Sequence, residues 1–285
     1  MGIKIENVFY TYQKKASNST LALNNVSFAI NDNDFVALVG ETGSGKSTLA
    51  QCLNALLIPD QGQIEVDDIV VSRKNRKSKK MRDLRKRVGL VFQFPEYQLF
   101  EETVEKDVAF GVKNFGVKGE AALEQAHKAL AQVGLDESYY QRAPFDLSGG
   151  ERRKVAIAGI LAINPDVLIF DEPTVGFDPA SAKELMNLIV EMHKQGKTII
   201  VITHDMDLVN EYARKVFMLE NGKLVFEGTP SDLFVHVQNY DRLDIPKVIK
   251  LALALKEKGM DIDANKIRSI DDLIDSIKGW RKKHE

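Results

Sequence analysis

Cysteine is almost missing from this chain. Its 285 residues include one, Cys52, so no internal disulfide can form. That suits a reducing compartment, and Cys52 reads as a small buried residue rather than a nucleophile. No charge of one sign dominates either. The formal charge of -2 gives no global pull toward nucleic acid. No uninterrupted apolar run approaches the ~18 residues that a membrane-spanning helix needs. "MGIKIENVFY" has no charged segment followed by a long apolar one, so no secretory leader is expected. It also lacks the Ser or Thr of a myristoylation motif, so Gly2 is not read as a lipid site. Internal repeats and low-complexity tracts are absent too. An apolar content of 44% suffices for a core, and the length suits one large domain or one domain plus a small appendage.

What is present is patterned. "IKIENVFYTY" and "NVSFAIND" alternate and read as antiparallel strands, and "GQIEVDDIVV" as a further strand pair. "DFVALVG" is a short buried strand, and "KSTLAQCLNALL" continues it with helical spacing at Leu49, Leu53 and Leu56. "GEAALEQAHKALAQVGL" is a helix ended by Gly134. "DVLIFDE" and "TIIVITHD" are buried strands flanking a helix with Leu185, Leu188, Ile189 and Met192. Strand–helix–strand order implies a parallel sheet with right-handed crossover, so the fold class is α/β. The style changes after residue 232 to two helical patterns, which divides the chain into 1–232 and 233–285.

"GETGSGKS", Gly40 to Ser47, lies between the apolar strand and the helix. Its spacing, G-x-x-x-x-G-K-[ST], is that of a phosphate-binding loop. Gly43 and Gly45 let backbone N–H groups turn toward phosphate oxygens, and the helix N-terminus adds partial positive charge. Glu41, Thr42 and Ser44 complete the loop, Lys46 can reach the β- and γ-phosphates, and Ser47 can ligate Mg²⁺. Thr48 can add a hydroxyl to the cradle. "VLIFDE" places Asp171 at the C-terminal end of a buried strand, where ligands bind in open α/β sheets. Asp171 can hold Mg²⁺ through water, and Glu172 is the candidate base for the attacking water.

"LSGGERRKVAIAGIL" opens a second helix with Ser148, Gly149 and Gly150, by the same physics a second anion site. Ser148 as an ordinary N-cap is the plainer reading. "LSGGERR" resembles the signature of ABC (ATP-binding cassette) ATPases, and the likeness covers about residues 3 to 232. Tyr12 resembles the aromatic residue that stacks on adenine, with Tyr10 a rival. Gln93 matches the Q-loop glutamine, a contact for Mg²⁺ or the attacking water. Asp178 in "GFDP" matches the D-loop, and His204 in "ITHD" the switch histidine. The resemblance implies a mixed sheet core, an antiparallel β subdomain and a helical signature subdomain at about 93–165. It also implies a head-to-tail dimer in which Ser148, Gly149 and Gly150 serve the partner's ATP. Glu151 stands where glutamine is commoner, and Phe177 where leucine is usual. With Glu172 and His204 both present, an active ATPase is expected rather than a dead scaffold.

The stretch after Gln93, "FPEYQLFEETVEKDVAFG", mixes aromatic and acidic residues. Phe94, Tyr97, Leu99 and Phe100 offer apolar area, and Glu96, Glu101 and Glu102 could take basic residues of a partner. Thr103 is a candidate N-cap, with Val104 and Val108 beginning an inward stripe. This stretch, with "APFDLSGGERRKVAIAGILA", resembles the ATPase subunits of energy-coupling factor (ECF) transporters, ABC importers of vitamins and metal ions. "LIFDEPTVGFDP" looks more like the second of that family's two ATPase paralogues. The resemblance implies a heterodimer with the other paralogue on the cytoplasmic face of the membrane. It also implies a shared transmembrane coupling protein and exchangeable membrane substrate-binding proteins, and no nucleic acid.

In the C-terminal segment, Ile245, Val248, Ala252 and Leu255 share one side. Ser269 and Asp272 form a capping pair ahead of Leu273, Ile274, Ile277 and Trp280. That segment is expected to help hold two ATPase subunits together. The ten basic residues between Arg73 and Arg87 read as a solvated loop, with anionic lipid headgroups as the sharper option. The alternatives are an ATPase of another ABC importer class or a soluble ABC ATPase of DNA repair or the ribosome. The repair type needs a long heptad insertion and the ribosomal type two cassettes per chain, and neither is present.

Overall fold

The alternation in "IKIENVFYTY" becomes a strand whose inward residues Ile3, Ile5 and Val8 are all buried. In the computed structural model, which describes residues 2–13, 19–76, 79–237 and 244–284, this is β1 (Gly2–Tyr12). It pairs antiparallel with β2 (Thr20–Asn31). The chain then enters β3 (Phe35–Val39), buried along its whole length, and α1 (Lys46–Leu53). β4 (Gln61–Val66) and β5 (Ile69–Val71) return to the first sheet, whose order is β2-β1-β4-β5. Its neighbouring strands are all antiparallel.

α2 (Lys80–Arg87) leads into β6 (Val88–Val91). Three helices follow: α3 (Val104–Asn114), α4 (Glu120–Gln132) and α5 (Gly149–Leu161). Their inward small residues, Ala109 on α3, Ala122, Ala126 and Ala129 on α4, and Ala158 on α5, let the three helices pack into one cluster. The chain returns through β7 (Val167–Asp171), α6 (Pro179–Lys194), β8 (Thr198–Ile202), α7 (Met206–Tyr212), β9 (Lys215–Glu220) and β10 (Lys223–Gly228). The second sheet has the order β10-β9-β3-β8-β7-β6. Its pairs are parallel except β9 with β10, so the sheet is mixed. α8 (Pro230–Val237), α9 (Lys247–Glu257) and α10 (Ile270–His284) finish the chain.

The parallel strands explain the placement of the polar ends. Along β7, Val167 and Ile169 face the cluster that contains α1, while Leu168 and Phe170 face the helical side. By the same two-residue period, Asp171 ends the strand on the α1 side.

Four expectations meet a correction here. The helix after the phosphate loop stops at Leu53, because Ala55 takes φ 55° and turns the chain, leaving Leu56 exposed. The basic run is not a loop throughout. Its second half is α2, which buries Met81 and Leu84, while Arg87 pairs with Asp67 and Asp68. Lys77 and Ser78 of that run lie outside the described residues. The division at 232/233 cuts through α8, and Leu233 and Phe234 are buried with Val39, Val216 and Met218 of the main body. Finally, Thr103 occupies the N-cap position of α3 without a cap bond, and its Oγ1 is buried without a partner. The Asp107 carboxylate instead accepts from the backbone N–H groups of Phe100 and Glu101, each at 2.8 Å.

α9 and α10 have their own small core of Val248, Ile249, Ala252, Ile262, Ile267 and Leu273. It is tied to α7 through Asn210, which donates to the carbonyls of Ile267 (3.1 Å) and Arg268 (2.9 Å). Ser269 and Asp272 form the reciprocal cap, with Ser269 N–H donating to Asp272 at 2.8 Å and Asp272 N–H to Ser269 at 3.2 Å.

Candidate functional site

The loop after β3 turns because its glycines allow it. Gly45 has φ 105°, and a Cβ there would lie 2.4 Å from the Ala22 carbonyl oxygen. Gly43 has φ 83° and open space around it, and it lines the cavity over the loop. Lys46 is buried, and its ammonium donates to the carbonyls of Gly40 (2.7 Å) and Glu41 (2.8 Å). Burial holds its pKa below the ordinary lysine value, with Glu172 and Asp171 opposing that shift. A desolvated ammonium resting on its own loop's carbonyls is ready to exchange them for phosphate oxygens.

A cavity of about 490 Å³ opens over this loop. Thr42, Gly43, Gly45, Lys46, Ser47 and Thr48 form its floor, and Gln93, Asp171, Glu172 and His204 one wall. Tyr12 closes the far side, its hydroxyl 3.2 Å from the Thr48 Oγ1. Tyr10 packs edge-on to Tyr12 at 4.9 Å and against the core, so Tyr12 is the ring that faces the cavity. Gly40, Glu41 and Ser44 shape the loop without lining the cavity.

Asp171 accepts a hydrogen bond from Ser47. Burial raises its pKa, and the like charge of Glu172 raises it further, while Ser47 and Lys46 oppose. The folded pKa lies above the unfolded one, so the ionised carboxylate costs stability at neutral pH, and that cost fades as pH falls through the folded pKa. Asp171→Asn is therefore expected to raise the melting temperature of the nucleotide-free protein while weakening MgATP-dependent turnover. Thermal melts at neutral pH and an ATPase assay check the pair of effects.

Glu172 and His204 meet at the cavity mouth. His204 Nδ1 lies 2.8 Å from Glu172 Oε1, and the buried Thr203 hydroxyl donates to Oε2 at 3.3 Å. Glu172 has φ 50°, in the left-handed region that a non-glycine residue seldom adopts. Its backbone N–H is held by the Ile202 carbonyl at 2.9 Å, so the adjacent strand keeps it there. Thr203 is a contributor the sequence reading passed over. Its place directly before His204 was the available signal.

Ser148, Gly149 and Gly150 are exposed and take no part in this cavity. Ser148 caps α5, and Glu151 completes a reciprocal capping box, accepting from Ser148 N–H (2.8 Å) and Oγ (2.7 Å). Asp178 caps α6, accepting from the N–H groups of Ala180 (3.0 Å) and Ser181 (3.1 Å).

A family described as ABC transporter matches residues 23–175. The chain belongs to that family. The energy-coupling factor transporter ATP-binding protein EcfA2 of Streptococcus pneumoniae is 48% identical to it, over 98% of this chain and 100% of that protein. EcfA2 of Streptococcus thermophilus is 47% identical, over 97% and 99%. Among solved structures, cbiO1 of Clostridium perfringens, described as part of the ABC transporter complex cbiONQ, aligns with TM-score 0.72 and 36% identity. That alignment covers 90% of this chain and 96% of cbiO1. A dimeric ATP-binding cassette in a post-hydrolysis state with ADP and phosphate aligns at 0.71 and 29% identity, over 80% of this chain and 98% of that one. The ABC protein described here is thus an ATPase of the energy-coupling factor type, resembling the second paralogue as its motifs implied.

On this ABC fold the stretch after Gln93 divides. Tyr97 is 84% exposed and Phe100 57%, while Phe94 is partly exposed. Phe110, which the sequence reading did not single out, stands edge-on to Phe100 at 4.8 Å and is also exposed. Leu99 is corrected: it is buried in the helical cluster and offers nothing to a partner. Glu96 is corrected as well, since its carboxylate pairs with Arg153 at 3.0 Å. Glu102 pairs with Lys106 one turn on at 2.8 Å, and Glu101 is half-buried.

Proposed function

We propose that this chain is the motor subunit of an importer that brings vitamins or similar micronutrients through membrane partners. The observation that carries the reading is the contact of Glu172 with His204 over a phosphate loop, joined through Gln93 to an exposed aromatic strip. Adenine stacks on Tyr12, and the phosphates lie on the amides of Gly43 to Thr48 and on Lys46. Glu172 takes the proton of the attacking water, and His204 orients that water against the γ-phosphate.

Mg²⁺ fits this site. Ser47, Asp171 and Gln93 offer hard oxygen atoms in one place, and Asp171 is a desolvated carboxylate beside a second one. Among the described residues no cluster of three or more His, Cys, Asp or Glu could hold a metal. Mg²⁺ typically uses one or two carboxylates together with substrate phosphates, and Asp171 offers one. When bound, it neutralises charge on the β- and γ-phosphates.

The exposed Ser148, Gly149 and Gly150 complete the site of a second, paralogous ATPase, and that subunit's signature completes this one. Asp178 lies at the same contact. The exposed Leu251, Ile270 and Ile274 of α9 and α10 supply further apolar area for that pairing. Tyr97, Phe100 and Phe110, with Phe94, Glu101 and Glu102 at the edge, receive a helix of the transmembrane coupling protein, which engages the substrate-binding membrane protein. Among the described residues no helix is long and apolar enough to cross a membrane. On this reading its place at the cytoplasmic face is that of a peripheral protein held there by those membrane partners.

A mild-detergent pull-down tests this reading. The full chain is expected to recover a second ATPase and membrane proteins. Tyr97→Ala with Phe100→Ala should lose the membrane proteins and keep the second ATPase and ATP binding. Recovery of membrane proteins at the wild-type level would place the docking surface elsewhere.

A further inference from the structure

Arg153 lies on α5, and its side chain is only 6% exposed. Its Nε donates to Glu96 Oε2 at 3.0 Å, and its Nη2 reaches Glu96 Oε1 at 3.4 Å. Nη1 donates to the Val175 carbonyl. The same guanidinium lies 5.5 Å from the Phe94 ring centre and 4.7 Å from that of Phe177. One buried cation therefore joins three segments: the strip after Gln93, the helix headed by Ser148, and the turn from Glu172 to Asp178.

Stability alone does not account for it. Replacing a buried ion pair with apolar residues of similar volume is often neutral or stabilising. What the pair adds is geometry. A guanidinium offers a rigid planar fork and two faces, so it can bind a carboxylate, donate to a carbonyl and stack on rings at once, which an ammonium cannot. Both segments it grips contain a non-glycine residue in the left-handed region, Phe94 at φ 56° and Glu172 at φ 50°. Val175 N–H also bonds back to the Glu172 carbonyl at 3.3 Å.

We propose that Arg153 is a positioning residue that transmits the state of the docking strip to the Glu172 turn and to the Ser148 helix. A displacement at Tyr97 moves Glu96, and Glu96 moves the guanidinium. The guanidinium then moves Val175 and α5 together. This rests on the reading of the strip as a docking surface and of Glu172 as the hydrolytic base. Arg153 itself does not line the cavity over the phosphate loop.

The test uses the assembled membrane complex and, separately, the two ATPase subunits without membrane proteins. Wild type, Arg153→Lys, and Glu96→Gln with Arg153→Met are compared for ATPase kcat and KM. The double variant removes both charges, so no unpaired ion is left buried. Arg153→Lys keeps the charge and decides the matter if the double variant does not fold in thermal melts. The expected result is an unchanged KM for MgATP and a kcat in the complex lower by about 2- to 30-fold. The ratio of complex to free kcat should collapse toward that of the free subunits. A merely structural role would lower the melting temperature and leave this ratio intact. If membrane proteins alter the wild-type kcat and that complex-to-free ratio is preserved in the Arg153 variants, the Arg153 proposal is overturned alone. If membrane proteins do not alter wild-type kcat at all, the docking reading falls and this proposal with it.

Discussion

Glu172→Gln is expected to bind MgATP as the wild type does and to hydrolyse it about 10²- to 10⁴-fold more slowly, the range for loss of a general base. The substitution is nearly isosteric, so the left-handed turn and the bond from Glu172 N–H to the Ile202 carbonyl are kept. What disappears is a carboxylate able to take a proton from water beside His204. On the proposed reading ATP is held chiefly by the phosphate loop, so nucleotide affinity should change little. With closure intact and hydrolysis blocked, the ATP-bound dimer should accumulate, visible as a shift in gel filtration with MgATP. Turnover within a few-fold of wild type would show that Glu172 is not the base. His204→Ala gives an independent check: on the proposed roles it leaves the base and removes the side chain 2.8 Å from it, and a smaller fall in kcat is expected.

The cavity was legible in the sequence because its chemistry is written in short local spacings. A phosphate loop needs Gly43, Gly45, Lys46 and Ser47 within a few residues, and the strand–loop–helix context fixes where they point. Asp171 and Glu172 are legible for a related reason, since an apolar strand that ends in carboxylates presents them at the sheet's C-terminal edge. Packing between distant segments was not legible. Glu96 and Arg153 are 57 residues apart, and each alone looks like a surface charge. Their pairing depends on how α5 lies against the strip after Gln93, which no local period encodes. Leu99 illustrates the same limit. It stands between exposed Gln98 and Phe100, and only the short turn from Pro95 to Gln98 directs it inward. α2 was hidden by composition, because a dense basic run masks Met81 and Leu84, whose spacing of three residues was the helical signal. Ser148 and Asp178 show the converse limit. Their visible bonds are helix caps, so their assignment to a second subunit's ATP comes from family likeness and exposure rather than from geometry within one chain.

Phe170→Ala tests how far the hydrolytic pair depends on the strand that carries it. Phe170 is fully buried, the last apolar residue of β7, and it faces the cluster shared by α3, α4, α5 and α6. Its truncation is expected to cost about 3–5 kcal/mol, from lost transfer energy plus the cavity left behind. In a thermal melt that corresponds to a midpoint lower by roughly 5–8 °C. Phe170→Leu, which keeps most of the volume, should cost less than about 1.5 kcal/mol. The functional consequence follows from strand order. β3, which carries the phosphate loop, is separated from β7 by β8, so relaxation at Phe170 reaches Asp171 and Glu172 before it reaches Lys46. At a temperature where the variant remains folded, kcat should fall while KM for ATP stays within about twofold of wild type. A rise in KM with unchanged kcat would mean that the cavity collapses toward the phosphate loop instead, and that β8 transmits strain rather than isolating it.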